Sequence, residues 1–256
     1  MDQNEIPKSA MGIFAHPDDA EFTVAGTVAR WSKAGCRMVY VLCTDGDVGT
    51  NDPNLTREQV AAIRRQEQRD ACRVLGVEDV VFLGYGDGML QPTMGLRRDL
   101  VRVIRQYKPE VVLCGDPTAF FYGDDYINHP DHRAAAQAAL EAIFPAASMP
   151  LVFPELAEEG LTPHKVKRVF ISGTSESNLW VDITETLADK INALRQHKSQ
   201  LGDWDPAEMI TRWAKERAEE HGMEYAEVFR RMILVQDSEG APEEPEPGQD
   251  EVHDRP

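Results

Sequence analysis

The sequence predicts an α/β fold of Rossmann-like type: a mostly parallel sheet with helices on both faces and a site at the carboxyl edge of the strands. Three observations predict it. Short apolar runs alternate with longer amphipathic stretches, the pattern of βαβ units. The runs are near-continuous, as strands buried on both faces must be. Each of the first four leads into a loop rich in Asp, Gly or His, where ligands gather in such sheets.

The first strand is expected over residues 11–15 and leads into a helix over 20–33. A second strand over 38–44 precedes a helix over 56–75, and a third over 80–83 precedes one over 95–106. A fourth strand over 111–114 precedes a helix over 131–143, and a fifth covers 166–171. Helices over 187–200 and 206–231 complete the pattern, the latter strongly charged and expected on the surface. Several prolines and acids within 144–163 mark an irregular connection. No repeat or boundary divides the chain, so residues 1–235 read as a single domain, which 256 residues are enough to supply with a sizeable core. Residues 236–256 read as an acidic disordered tail, because from Asp237 eight acids face Arg255 alone among prolines and glycines.

A formal charge of -17 argues against a nucleic-acid partner, since phosphate neutralisation needs clustered Lys and Arg. The first residues are polar and no apolar run approaches a membrane span, so neither a signal peptide nor a membrane anchor is expected. Cys36, Cys43, Cys72 and Cys114 are far apart with no Cys-x-x-Cys pair, and read as buried thiols. A reducing compartment, the cytoplasm, is the expectation.

The stretch "GIFAHPDDAEF" places His16, Pro17, Asp18 and Asp19 where the first strand ends. After the fourth strand, "NHPDH" places His129, Pro130, Asp131 and His132 in the same way. Each puts proline near a helix's first turn, where its missing N–H is harmless. On such a turn positions i and i+3 lie close to one face. His16 and Asp19 are therefore placed to share one ion, with either His129 or His132 completing the set. Two imidazoles and a carboxylate with an open position describe a catalytic zinc site, and the same triad can also hold Fe(II). A His or Asp at one helix start is ordinarily a cap; two such loops at equivalent edges of one sheet favour a metal.

"AHPDDAEF" followed by "NHPDHRAA" resembles the PIG-L/LmbE-like de-N-acetylase family, which includes deacetylases of N-acetylglucosaminyl-phosphatidylinositol and of thiol-glycoside precursors. "CTDGDVG", "RRQEQRDACRVLGV", "GYGDGML" and "VDITETLADKINALRQHKSQ" fall in the family's order, so the resemblance covers most of residues 10–235. It implies that His16, Asp19 and His132 bind one zinc per chain, and that Asp18 is the general base. It further implies that His129 stabilises the oxyanion or moves a proton, with Asp131 orienting it; an Asp neighbour also favours the protonated imidazole, which would balance the oxyanion. Arg64 and Asp87 match positions that contact substrate, although helix pairing and turn stabilisation are the ordinary roles of such residues. Asp45 has similar standing.

The expected activity is metal-dependent removal of an N-acetyl group from a small amino sugar or its conjugate. The alternatives are an amidase of larger thiol-glycoside amides with the same metal centre and a catalytically silent sugar-binding relative. A homo-oligomer is left open. A dinucleotide-binding reading fails because Ala-His-Pro-Asp-Asp stands where a Gly-x-Gly-x-x-Gly turn is needed. Tyr122 and Tyr126 lie near the second motif without a defined role. His197 falls on a helical face, where a surface or packing role fits at least as well as a site role, and His164, His221 and His253 have no motif around them.

Overall fold

A computed structural model describes residues 5–235. The acidic tail predicted for 236–256 lies outside the described residues. The chain runs through Ser9–Phe14 (β1), Asp19–Thr23 (α1), Ala25–Lys33 (α2), Arg37–Thr44 (β2), Arg57–Leu75 (α3), Asp79–Tyr85 (β3), Met94–Tyr107 (α4) and Val111–Gly115 (β4). Phe121–Tyr122 (β5) and Tyr126–Ile127 (β6) form a hairpin, followed by Pro130–Ile143 (α5) and Glu155–Glu158 (α6). Arg168–Ser172 (β7), Leu179–Asp182 (β8), Leu187–Leu194 (α7), Lys198–Leu201 (α8), Ala207–Ala218 (α9) and Ala226–Ile233 (β9) complete it.

The main sheet is seven-stranded in the order β3-β2-β1-β4-β7-β9-β8. Strands β3, β2, β1, β4 and β7 are parallel neighbours, and β9 runs antiparallel to both β7 and β8. The two-residue period of the strands divides their apolar runs between two cores. Ala10 and Phe14, with Met38, Tyr40 and Leu42, pack under α2, α3, α7 and α9. Met11 and Ile13, with Val41 and Cys43, face α4 and α5. Gly12 is required in β1 because a Cβ there would come within 2.9 Å of the Tyr40 ring. All four cysteines are buried and free, as expected.

Helix α3 begins with a reciprocal capping box between Thr56 and Gln59 and ends at Gly76 in the left-handed conformation, which a Cβ disfavours. The helix expected over 20–33 breaks at Val24, and that over 187–200 breaks between α7 and α8. The helix expected over 206–231 is corrected: only its first half is helical. Glu220 and Gly222 adopt positive φ and turn the chain back into β9. Its charges suggested helix because β9 carries a buried acid. Glu227 accepts the Gly26 and Thr27 N–H groups of α2 at 2.9 and 2.8 Å and pairs with buried Lys190 at 2.5 Å. Strand β8 and the β5–β6 hairpin were not anticipated.

The irregular connection over 144–163 is organised from inside by Arg105. This arginine, 1% exposed, donates to the carbonyl oxygens of Ala146 at 3.1 Å, Ala147 at 3.2 Å, Met149 at 2.8 Å and Val152 at 3.0 Å. Arg105→Met would remove a charged donor from four carbonyl oxygens, three of which keep a backbone N–H from Met149, Val152 or His164, and should cost on the order of 1–3 kcal/mol. Lysine should restore only part of this, since an ammonium cannot reproduce the guanidinium fork. Urea unfolding of the two variants measures both effects.

Candidate active site

The sheet order reverses between β1 and β4: β1 feeds helices on one face, β4 feeds α5 on the other. A crevice opens beyond the carboxyl ends of such a strand pair. The segment after β1 contributes His16, Asp18 and Asp19; the segment before α5 contributes Asn128, His129, Asp131 and His132. Asp87 arrives from the loop after β3.

The turn after β1 is tightly held. Asp19 Oδ2 accepts the Ala15 and His16 N–H groups at 3.1 and 2.9 Å. Asp18 has φ 91°, a left-handed conformation that costs a residue with a Cβ on the order of 1–3 kcal/mol. Its surroundings impose it. The Asp18 N–H donates to Gln68 Oε1 at 3.1 Å, while Arg64 donates to Pro17 O at 2.6 Å and to Asp18 Oδ2 at 3.1 Å. Arg64 also donates to Gly46 O at 3.0 Å, and a Cβ at Gly46 would overlap the guanidinium.

On the other side, His129 caps α5: its Nδ1 accepts the Asp131 N–H at 3.2 Å, with Pro130 in the first helical turn. The helix then presents His132 one turn further on. Asn128 donates from Nδ2 to Ala119 O at 2.8 Å, which fixes its amide and turns Oδ1 toward His132 Nδ1 at 3.0 Å.

These contacts assign the protons. Asn128 Oδ1 can only accept, so His132 carries its proton on Nδ1 and presents the Nε2 lone pair. His16 Nε2 faces two carboxylates, Asp87 Oδ1 at 3.0 Å and Asp131 Oδ2 at 3.3 Å, so it is protonated and Nδ1 is the candidate ligand atom. His16 Nδ1 and His132 Nε2 then lie 3.2 Å apart, with Asp19 Oδ1 3.0 Å from His132 and Asp19 Oδ2 3.6 Å from His16. Once deprotonated at these atoms, the three are electron-pair donors that a cation between them would join. The set fits zinc or Fe(II) chemically.

Two further groupings lie within 4.8 Å: His16 with His129 and His132, and His16 with Asp87 and Asp131. In the second, Asp87 Oδ2 already accepts the Val48 N–H at 3.0 Å, and Asp131 accepts Gly88 and Leu90 N–H at 2.7 and 3.1 Å. They read as outer partners that orient His16. Asp131→Ala should accordingly weaken metal affinity by about 10- to 100-fold while every direct ligand remains. Titration against a competing chelator checks this.

The electrostatics follow from four acids around these imidazoles. Burial raises the Asp18 carboxyl to about 6, with Arg64 opposing and Asp19 reinforcing the rise. Burial would also raise Asp19, but His132 and His16 hold it well below the ordinary carboxylate range. For Asp87 the His16 and Val48 hydrogen bonds overcome burial and bring it to about 2. Burial disfavours a charged His16, yet with no ion bound Asp19, Asp131 and Asp87 together lift it to about 12, so a metal at Nδ1 would have to displace that proton. In the same balance Asp19 raises His132.

Several expected contacts differ. The Asp131 carboxylate is 4.0 Å from His129 Nδ1, too far for the expected orienting hydrogen bond, because it is committed to His16 and the loop after β3. His129 is not held charged: burial and the neighbouring charge of His16 lower its pKa against the pull of Asp131. Arg64, expected to contact substrate, is 4% exposed and spends its donors on Pro17, Gly46 and Asp18, so it faces Asp18 instead of solvent. Asp87 holds His16 and the Val48 loop as described. Asp45 is paired with Arg65.

Tyr122 and Tyr126 sit on the exposed β5–β6 hairpin. His164 is bonded to Pro109 O at 2.7 Å, and His221 stacks on Trp180. His253 lies outside the described residues. His197 is fully buried beside Glu21, not on the surface. Asn128 and Gln68 were missed. Gln68 was legible as a helical neighbour four residues after Arg64, whereas Asn128 precedes the α5 N-cap and meets His132 through the loop.

The profile of the PIG-L family, described as GlcNAc-PI de-N-acetylase, matches residues 11–143. A diacetylchitobiose deacetylase of Thermococcus kodakarensis is 33% identical over 78% of this chain and 74% of its own length. A probable N-acetyl-α-D-glucosaminyl L-malate deacetylase of Bacillus anthracis is 32% identical over 74% of this chain and 80% of its own. Among solved structures, the N,N'-diacetylchitobiose deacetylase of Pyrococcus horikoshii in complex with an inhibitor superposes with a TM-score of 0.83 at 32% identity. That match covers 91% of this chain and 88% of that one. By profile, sequence and fold, the chain belongs to the PIG-L family of de-N-acetylases.

Proposed function

We propose that the protein hydrolyses the N-acetyl amide of a small amino sugar or its conjugate, with one zinc held by His16, Asp19 and His132. Fe(II) is the alternative occupant of the same donors. One observation carries the reading: two imidazole lone pairs and a carboxylate converge within 3.0 to 3.6 Å, and the residue between Pro17 and ligand Asp19 is an unligated acid.

The ion supplies Lewis acidity, lowering the pKa of water toward neutrality and polarising the acetyl carbonyl. The chain supplies the remainder. Asp18, titrating near 6, is ionised at neutral pH yet basic enough to accept the proton of the attacking water. Arg64 keeps that carboxylate aimed by binding its Oδ2 and the Pro17 carbonyl. Because His129 Nδ1 accepts the Asp131 N–H, the proton of the neutral ring is on Nε2, where it can donate to the developing oxyanion. Asp131 and Asp87 hold His16 by Nε2. When the C–N bond breaks, Asp18 returns its proton to the departing amine, leaving acetate and a free amino sugar.

The relatives' names point to acetylated glucosamine derivatives, and that substrate class is the one proposed here. Among the described residues no helix is long and apolar enough to cross a membrane. The cytoplasm is the proposed compartment, in keeping with four free thiols.

The test is an amine-release screen over N-acetylated sugars, their glycoconjugates and bulkier amides, with zinc and with Fe(II). Equal amounts of acetate and amine from the sugars support the proposal. Release from bulky amides alone transfers the function to an amidase, and no release from any member rejects hydrolysis.

A further inference from the structure

Behind the base lies a row of polar side chains that the deacetylation chemistry does not use. Glu21, Gln68 and His197 are each fully buried, on α1, on α3 and at the turn that opens α8. Placing an acid, an amide and an imidazole together inside a core costs desolvation that apolar residues of like size would avoid.

Their contacts form one line that ends on Asp18. His197 Nε2 lies 3.3 Å from Glu21 Oε2, within ion-pair range though off the line of a hydrogen bond. Glu21 Oε1 accepts from Gln68 Nε2 at 2.9 Å, and Gln68 Oε1 accepts the Asp18 N–H at 3.1 Å. The Glu21 carboxylate can only accept, so it decides which end of the Gln68 amide faces it. Reversing the amide would set oxygen against carboxylate and NH2 against N–H. The oxygen is thereby kept on Asp18, whose left-handed backbone persists only while its partners impose it.

The segment that delivers His197 is fastened from outside as well. Ser199 binds Glu67 of α3 through its N–H at 2.7 Å and its hydroxyl at 2.6 Å. Gln200 donates to Gly49 O, in the loop after β2, at 3.0 Å. The "HKSQ" stretch thus grips two of the elements that carry Arg64 and its Gly46 contact. Among the described residues, His197 Nδ1 has no hydrogen-bond partner, so its burial is not explained by capping or packing of a polar atom elsewhere.

We infer that His197 is a positioning residue: through Glu21 and Gln68 it fixes the Asp18 main chain and so aims the base carboxylate. This rests on the deacetylase reading and on Asp18 as base. Since the line ends on the Asp18 N–H, its loss falls on turnover, with substrate binding and the metal donors spared.

The test compares zinc-loaded wild type with His197→Gln, Gln68→Met and the double variant, by kcat, KM, zinc content and urea unfolding. Each single variant should lose on the order of 10- to 100-fold in kcat, as small misplacements of a catalytic group do. KM should stay within about twofold, since uniform binding is untouched. Zinc should stay at about one per chain, as a mononuclear site holds. The double variant should fall no further than the worse single, because both act through one path. Unchanged kcat, a loss carried by KM, loss of zinc, or losses that multiply in the double variant would each overturn the inference. If His197→Gln does not fold, Glu21→Gln, which keeps the shape and removes the orienting charge, is judged by the same criteria. An inactive wild type rejects the deacetylase reading; an active wild type with an unaffected His197→Gln rejects this inference alone.

Discussion

Asp18→Asn is expected to keep its metal and lose about 10²- to 10⁴-fold in kcat, the range over which a positioned base contributes. The substitution isolates the proton-accepting role. Asparagine tolerates left-handed backbone, so the φ of 91° is retained where Ala would strain it. Its amide oxygen can still accept from Arg64, and the backbone bond to Gln68 is untouched. No donor of the His16, Asp19 and His132 set is altered. Metal analysis and amine release on one preparation measure both halves. Wild-type turnover by the variant would place the base elsewhere.

His132→Ala should cost the protein its ion, by more than the roughly 10- to 100-fold loss typical of an outer partner. His129→Ala should not. The two histidines lie on one helical turn, and both fall within reach of His16, so this pair of variants decides between them. His132 Nε2 approaches His16 Nδ1 and Asp19 Oδ1 at 3.2 and 3.0 Å, with its other nitrogen tied to Asn128. His129 spends Nδ1 on the Asp131 N–H. Its removal strips α5 of a cap, worth about 1 kcal/mol, and removes the proposed oxyanion donor. It should therefore lower turnover and slightly lower stability with zinc retained. If His129→Ala loses the ion and His132→Ala keeps it, the third ligand is His129.

The parallel centre of the fold was readable because β1, β2 and β4 are unbroken apolar runs, which only doubly covered strands tolerate. Strand β9 was not, since buried Glu227 and the arginines beside it mimic a charged helix. What reveals its nature is Lys190, a partner 37 residues away. In the candidate site, the choice of His132 over His129 came from the family resemblance. The meeting of His16 and Asp19 with the second His-Pro-Asp loop was legible because one short motif occurs twice at equivalent sheet edges. Their proton arrangement was not: it depends on the loop after β3 bringing Asp87, Gly88 and Leu90 to meet Asp131 and His16. Arg64 sat on a charged helix and read as a substrate contact or a helix-paired arginine, whereas the Gly46 turn gives it a slot in the interior. His197 was hidden by the break between α7 and α8, which rotates it off the expected helical face.

The position of the donor set across the reversal in strand order has a thermodynamic consequence. His16 and His132 are 116 residues apart and meet only because β1 lies beside β4. An unfolded chain presents no such pocket, so occupancy is linked to the folding equilibrium. Free zinc a hundredfold above its dissociation constant would stabilise the native state by about 2.7 kcal/mol. Unfolding midpoints should climb by several degrees with added zinc and fall back with chelator. An ion bound there would clamp the central sheet, and a cell's supply of it would govern how long the folded protein survives.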